Sequence, residues 1–287
     1  MRRRDFLAAA AGTAALTGLA PSKIRALPMS FGGRLKLSVS RWPYGKFTLD
    51  RLCQMCRDLD MDGIDLLEPE DWGVPLRYGL VCAMGYATVP HPENRLIDGF
   101  NRVENHAWLI PAYQKAIPLA AASKVPNVIC FSGTRKGQSD DEGRDICARG
   151  LAPLIPLAEK HGVTLCMELL NSKVDHPDYQ CDHTTWGVAL AKQVNSPRFK
   201  LLYDIYHMQI MEGDVIRTVT DNIDHIGHFH TGGVPGRHEI DDTQELNYHR
   251  VMQAIADAKF PGFVAQEFVP TKDPRRSLAE AVRICTV

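Results

Sequence analysis

The pattern of this chain predicts an α/β fold, a single-domain (β/α)8 TIM barrel, on three observations. Short apolar runs alternate strictly with stretches of helical spacing, which demands a parallel sheet covered by helices. With a leader at residues 1–26 set aside, about 260 residues remain, near the ≈ 250 typical of such a barrel. An open doubly wound sheet is the alternative, but no glycine-rich dinucleotide fingerprint follows the first strand.

The leader comes first. Residues 1–7 are basic and carry Arg3-Arg4, residues 8–20 form a weakly apolar run of small side chains, and Ala26 ends a cleavage site, with Ala20 as the alternative. This reads as a twin-arginine signal peptide. Its apolar run is too short to span a bilayer. The expectation is a bacterial periplasmic or cell-envelope protein, exported folded and free of the membrane after signal removal, with the barrel at 34–287.

Residues 35–40 alternate and read as the first strand. Residues 47–59 have helical spacing, stopped by Met61-Asp62-Gly63, and 63–67 form the second strand, closing at Glu68. The stretch 71–78 is short and holds Gly73 and Pro75, so no firm helix is expected there. A third strand at 80–84 leads through a loop to a helix at 106–123. A fourth strand at 127–131 precedes a helix over 141–160, with Gly162 as its stop.

The fifth strand, 163–167, leads to Glu168. After a polar loop, Thr184-Thr185 caps a helix that ends before Pro197. The sixth strand starts at 199 and leads to Asp204, and Asp214 opens the next helix. The seventh, 225–229, leads to His230 and a long loop over 231–243. A helix at 245–259 precedes the eighth strand, 262–266, which leads to Glu267. Asp273 caps a last helix at 274–284.

Composition narrows the function. Formal net charge is -1, and no long basic run occurs beyond the extreme N-terminus, which argues against a nucleic-acid partner. Cys82, Cys130 and Cys166 sit in apolar strand runs. Cys53 and Cys56 share the apolar face of the first helix, and Cys147 and Cys285 fit helical core positions. With no second pair at metal-site spacing, the cysteines read as core residues, not as a disulfide framework or zinc motif.

Glu168, Asp204, His230 and Glu267 close four successive strands. Chemistry in such a barrel sits at the C-terminal ends of its strands, where these four become neighbours. Three carboxylates at one point repel and are costly to desolvate, and a divalent cation resolves both problems. The oxygen-rich set with one imidazole fits Mn²⁺, Mg²⁺ or Co²⁺, and then Zn²⁺.

Several stretches carry a family likeness. They are Tyr203-Asp204-Ile205-Tyr206-His207-Met208-Gln209 with Met211-Glu212-Gly213, then His228-Phe229-His230, then Pro235-Gly236-Arg237-His238-Glu239. Glu245-Leu246-Asn247-Tyr248 and residues 262–267 complete the set. In these the chain resembles the hydroxypyruvate isomerase-like branch of the xylose isomerase-like barrel superfamily, which also includes ketose 3-epimerases. The resemblance covers most of the mature chain.

The resemblance implies a metal-dependent isomerase acting through an enediolate on a small sugar or keto acid. Glu168, Asp204, His230 and Glu267 are then the ligands, Glu168 and Glu267 also the acid/base pair, and His207 and Arg237 the substrate-binding residues. His228 stands behind His230. Hydroxypyruvate isomerases carry Gln where His230 stands, whereas the epimerase branch carries His. They also carry a basic residue where Val269 sits and a His near the end of the third strand. The other readings are a ketose 3-epimerase or keto-glycoside lyase with the same site, or a non-catalytic periplasmic carbohydrate-binding barrel. An endonuclease-type phosphodiesterase needs more His and Asp ligands and a basic surface. A homo-oligomer is left open.

Overall fold

The structure, a computed structural model, describes residues 35–287, so the expected signal peptide lies outside the described residues. Eight strands follow in chain order: β1 (Lys36–Ser40), β2 (Gly63–Leu67), β3 (Val81–Gly85), β4 (Asn127–Cys130), β5 (Thr164–Glu168), β6 (Phe199–Asp204), β7 (Ile226–Thr231) and β8 (Phe263–Gln266). Each pairs in parallel with its sequence neighbour, and β8 returns to β1 to close the barrel. The helices around it are α1 (Leu49–Asp58), α2 (Val103–Ala122), α3 (Asp140–Leu151), α4 (Ile155–His161), α5 (Thr184–Val194), α6 (Ile205–Met211), α7 (Val215–Asn222), α8 (Tyr248–Asp257) and α9 (Pro274–Cys285).

The strands lack polar alternation because both their faces are covered. Every residue of β2 and of β5 is buried. Helix α1 shows the local logic of the outer ring. Thr48 caps it by accepting from the Arg51 N–H, Asp50 lies in its first turn and Arg57 in its last, in line with the helix dipole. Its buried face is Leu52, Cys53, Met55 and Cys56. The eight cysteines are all buried and none is paired, as the core reading expects.

Two elements differ from the sequence expectation. The helix over 141–160 is broken into α3, a 3-10 turn at Ala152–Leu154, and α4. Pro153 and Pro156 stand at the break; neither has an N–H to donate, and each ring clashes with the turn before it. Between β2 and β3 there are only two 3-10 turns, Pro69–Asp71 and Pro75–Tyr78, in agreement with the expectation of no firm helix. Helix α6 is additional. It starts directly at the end of β6 because the Asp204 carboxylate accepts from the N–H groups of Tyr206 and His207. Glu212, just past α6, caps α5 through Thr184 N at 2.6 Å and Thr184 Oγ1 at 2.7 Å. No helix among the described residues is long and apolar enough to cross a membrane.

Candidate active site

The register of the barrel decides which side chains meet. Asp204 lies opposite His230 across β6 and β7, and Glu168 opposite Leu202 across β5 and β6. Glu267 follows β8 directly, its N–H donating to Thr231 O at 3.0 Å. Glu168, Asp204, His230 and Glu267 therefore converge: each offers a ligand atom, all four atoms lie within 4.8 Å of one another, and all four residues are buried. His230 Nδ1 is 2.8 Å from Glu267 Oε2 and 3.3 Å from Glu168 Oε1.

Arg237 reaches the same point from the loop after β7. Its Nη2 donates to Glu267 Oε2 at 2.6 Å and to Asp204 Oδ2 at 3.1 Å. The guanidinium lies 5.2 Å from the ring centres of Trp42 and of Tyr206. Trp42 donates its indole N–H to the other oxygen of Glu267, at 2.7 Å.

His207, in α6, is fully buried. Its tautomer follows from its neighbour. Asn171 Oδ1 accepts from the N–H groups of Val174 and Asp175, so Asn171 Nδ2 faces His207 Nδ1, at 2.7 Å, as the donor. The hydrogen of His207 therefore sits on Nε2. That atom lies 3.5 Å from Asp204 Oδ2, has no aligned hydrogen-bond partner, and is sealed from solvent. Burial first, then Arg237 and His176, holds the imidazole well below its ordinary pKa and hence neutral.

A family model described as Xylose isomerase-like TIM barrel matches residues 98–285. The chain belongs to that family. Among curated relatives, a 2-oxo-tetronate isomerase of Cupriavidus necator is 36% identical over 113 residues, 39% of this chain and 43% of the relative. A hydroxypyruvate isomerase of Escherichia coli is 29% identical over 187 residues, 65% of this chain and 67% of the relative. The chain thus spans less than half of the first relative and about two thirds of the second. Among solved structures, an AP endonuclease, family 2, from Brucella melitensis has a TM-score of 0.75 at 22% identity, covering 86% of this chain and 97% of that one. An IOLI protein with a binding zinc atom scores 0.67 at 14% identity, covering 88% and 95%. At these identities the likeness to the solved structures is one of fold.

In this member of the xylose isomerase-like family the charges are strongly interdependent. Burial pushes the Asp204 carboxyl up to about 7 although Arg237 opposes it. Burial also works against ionised Glu267, but His230 and Arg237 outweigh it and hold that carboxyl well below its usual range. His230 is displaced the other way: burial disfavours the imidazolium, and Glu267, then Asp65 and Glu168, raise its pKa well above the ordinary value.

Asp65 is the site residue that sequence reasoning missed. It lies within β2 and is fully buried. Its Oδ2 stands 2.5 Å from His228 Nε2 and 3.4 Å from His230 Nε2, and the three form a second group of metal-ligand type. Burial opposes its charge, yet the two histidines hold its carboxyl down at about 2. A signal was present, since a lone Asp inside an apolar strand must find a charged or hydrogen-bonding partner. This second group shares His230 with the first and adds Asp65 and His228 to it. It is sealed, with all three residues fully buried. His238 and Glu239 order the loop. His238 Nδ1 lies 3.1 Å from Val269 O, and Glu239 accepts from Thr271 N, Thr271 Oγ1, Lys272 N and Ser277 Oγ at 2.7 to 3.1 Å.

Proposed function

We propose that this protein is a metal-dependent isomerase that moves a proton between adjacent carbons of a small sugar or keto acid by way of an enediolate. One observation carries the reading: the buried convergence of Glu168, Asp204, His230 and Glu267 within 4.8 Å. Three carboxylates and one imidazole form a donor set that suits a divalent ion, with Mn²⁺, Mg²⁺ and Co²⁺ ahead of Zn²⁺. The names of the relatives, hydroxypyruvate isomerase and 2-oxo-tetronate isomerase, support the reaction class. The zinc of the IOLI protein supports a metal in this kind of barrel.

When bound, the ion supplies Lewis-acid polarisation of the substrate carbonyl. The remaining work falls to the chain. Glu168 and Glu267 remove and return the proton next to that carbonyl, as general base and acid. His207, locked as the neutral Nε2–H tautomer, donates its free hydrogen to a substrate oxygen. Arg237 holds a second oxygen from above, and the Trp42 indole keeps Glu267 oriented. Barrels of this kind carry their chemistry at the C-terminal strand ends, and the position of Glu168, Asp204, His230 and Glu267 there supports the reading.

The test has two arms. Elemental analysis of the purified protein should find about one divalent ion per chain, the number needed to offset the carboxylates. Finding none, together with no thermal stabilisation by added Mn²⁺, Mg²⁺, Co²⁺ or Zn²⁺, overturns the metal. In D₂O, a responsive 2-hydroxy aldehyde or ketose should take up deuterium at the carbon next to the carbonyl. Glu168→Gln and Glu267→Gln should each bind the ion yet lose activity by about 10²–10⁴-fold. Full turnover in both variants overturns the acid/base roles of Glu168 and Glu267, and a wild-type protein that binds sugar without any turnover leaves the binding-barrel reading in its place.

A further inference from the structure

The proposed metal site leaves one buried charge without a task. Asp65 sits on β2, three strands around the barrel from His230 on β7. Its carboxylate crosses the interior toward the two histidines. There Oδ2 and both Nε2 atoms are sealed from solvent, have no other hydrogen-bond partner among the described residues and are not aligned with one another, Oδ2 lying 3.4 Å from His230 Nε2. The backbone there departs from a regular strand: Leu66 adopts φ 60, and the β2–β3 register shifts on both sides of Asp65. A non-glycine residue in the left-handed region is costly, and a bulge re-aims the side chain beside it. An apolar residue of similar size would fill this place without the cost of burying a charge. What a carboxylate adds is direction.

An imidazole has two nitrogens, and the partner of one decides which of them carries the hydrogen. We propose that Asp65 is the positioning residue for His230: it accepts the Nε2–H, so that with an ion bound Nδ1 turns its lone pair to the point where Glu168 and Glu267 meet. This rests on the metal reading above. His228 Nε2, 2.5 Å from the same Asp65 oxygen, anchors that carboxylate from behind. The His228 ring packs edge-on against His230 at 5.3 Å and stacks near Phe263 at 6.4 Å, so it cannot swing freely. A chain of three side chains, His228 to Asp65 to His230, thus transmits the rigidity of the barrel interior to one ligand atom. Asp65 touches no substrate; its effect on the site passes through the imidazole.

The experiment compares the wild-type protein with Asp65→Asn, both checked for native fold by circular dichroism. Calorimetric titration with Mn²⁺ and Zn²⁺ should show affinity lowered about 10–100-fold in the variant, the usual effect of removing such a partner. In the Zn²⁺-loaded wild type, ¹H–¹⁵N spectra should show His230 in the Nε2–H form, with that proton shifted far downfield by the carboxylate. This spectrum requires no variant, so it decides the matter even where Asp65→Asn fails to fold. An Asp65→Asn affinity within about twofold of wild type, outside that usual range, overturns the inference alone. A wild-type His230 proton at an ordinary shift does the same, as does a second ion that Asp65→Asn removes. A wild-type chain that binds no divalent ion overturns the metal reading and this inference together.

Discussion

Arg237 Nη2 stands 2.6 Å from Glu267 Oε2, and the same nitrogen lies 3.1 Å from Asp204. On the proposed metal reading, this guanidinium and an incoming divalent ion would compete for the same two carboxylates. Arg237→Met should therefore tighten ion binding by about tenfold, a change of about 1.4 kcal/mol. The ion-free variant should also be less stable, because removing one partner of a buried pair leaves the other charge unpaired. Calorimetric titration and urea unfolding measure both. Weaker ion binding in the variant would mean that Arg237 supports the ligands.

His207 makes a demand that a structural histidine does not. Its Nδ1 is satisfied by Asn171, and its Nε2–H is left over in a sealed position. His207→Gln should raise KM and lower kcat, for a combined loss of about 2–10-fold if one charge-free hydrogen bond to substrate of about 0.5–1.5 kcal/mol is given up. Ion affinity should change little. Unaltered kinetics with lowered stability would assign His207 to packing.

Glu239 ties the loop that carries Arg237 to the segment after β8. Burial works against its charge, but Ser277 and Thr271 outweigh that and lower the carboxyl from 4.5 to about 2. A lowered carboxyl contributes stability that is complete above the unfolded value and lost as pH falls through the folded one. The gap between wild type and Glu239→Gln, read from urea unfolding, should be widest near neutral pH and close between about pH 4.5 and 2. A gap that does not change with pH contradicts the account.

The strand ends are legible in the sequence because each polar residue there follows an apolar run. Glu168, Asp204, His230 and Glu267 mark the point where a buried strand meets the C-terminal face of the barrel. Asp65 follows a different rule. It interrupts Gly63-Ile64-Leu66-Leu67 from within, and its partners lie more than 160 positions further on, so no local pattern names them. The bend at Leu66 that aims it has no composition signal. Likewise, α6 is too short to show helical spacing and exists because Asp204 caps it. The break between α3 and α4 is readable in hindsight from Pro153 and Pro156, whose apolar neighbours continue the helical period across it.

Export is a proposal about the other end of the chain. Arg3-Arg4 before the small-residue run motivates it. Replacing both arginines by lysine should leave the precursor in the cytoplasm, as seen by cell fractionation. Normal processing and release of the double variant would remove the twin-arginine reading without touching the barrel chemistry.

The buried thiols have a use that belongs to neither catalysis nor export. Burial pushes Cys53 up to about 11 and Cys285 up to about 12, and raises Cys82, Cys130 and Cys166 as well. Since the thiolate is the reactive form, a labelling reagent meets almost none of it in the closed barrel. Each cysteine is then a clock started by the opening of its own neighbourhood. Cys53 and Cys56 time the first helix, Cys82, Cys130 and Cys166 the strands, and Cys285 the last helix. The order in which they become modified traces how the barrel comes apart, with no probe added to it.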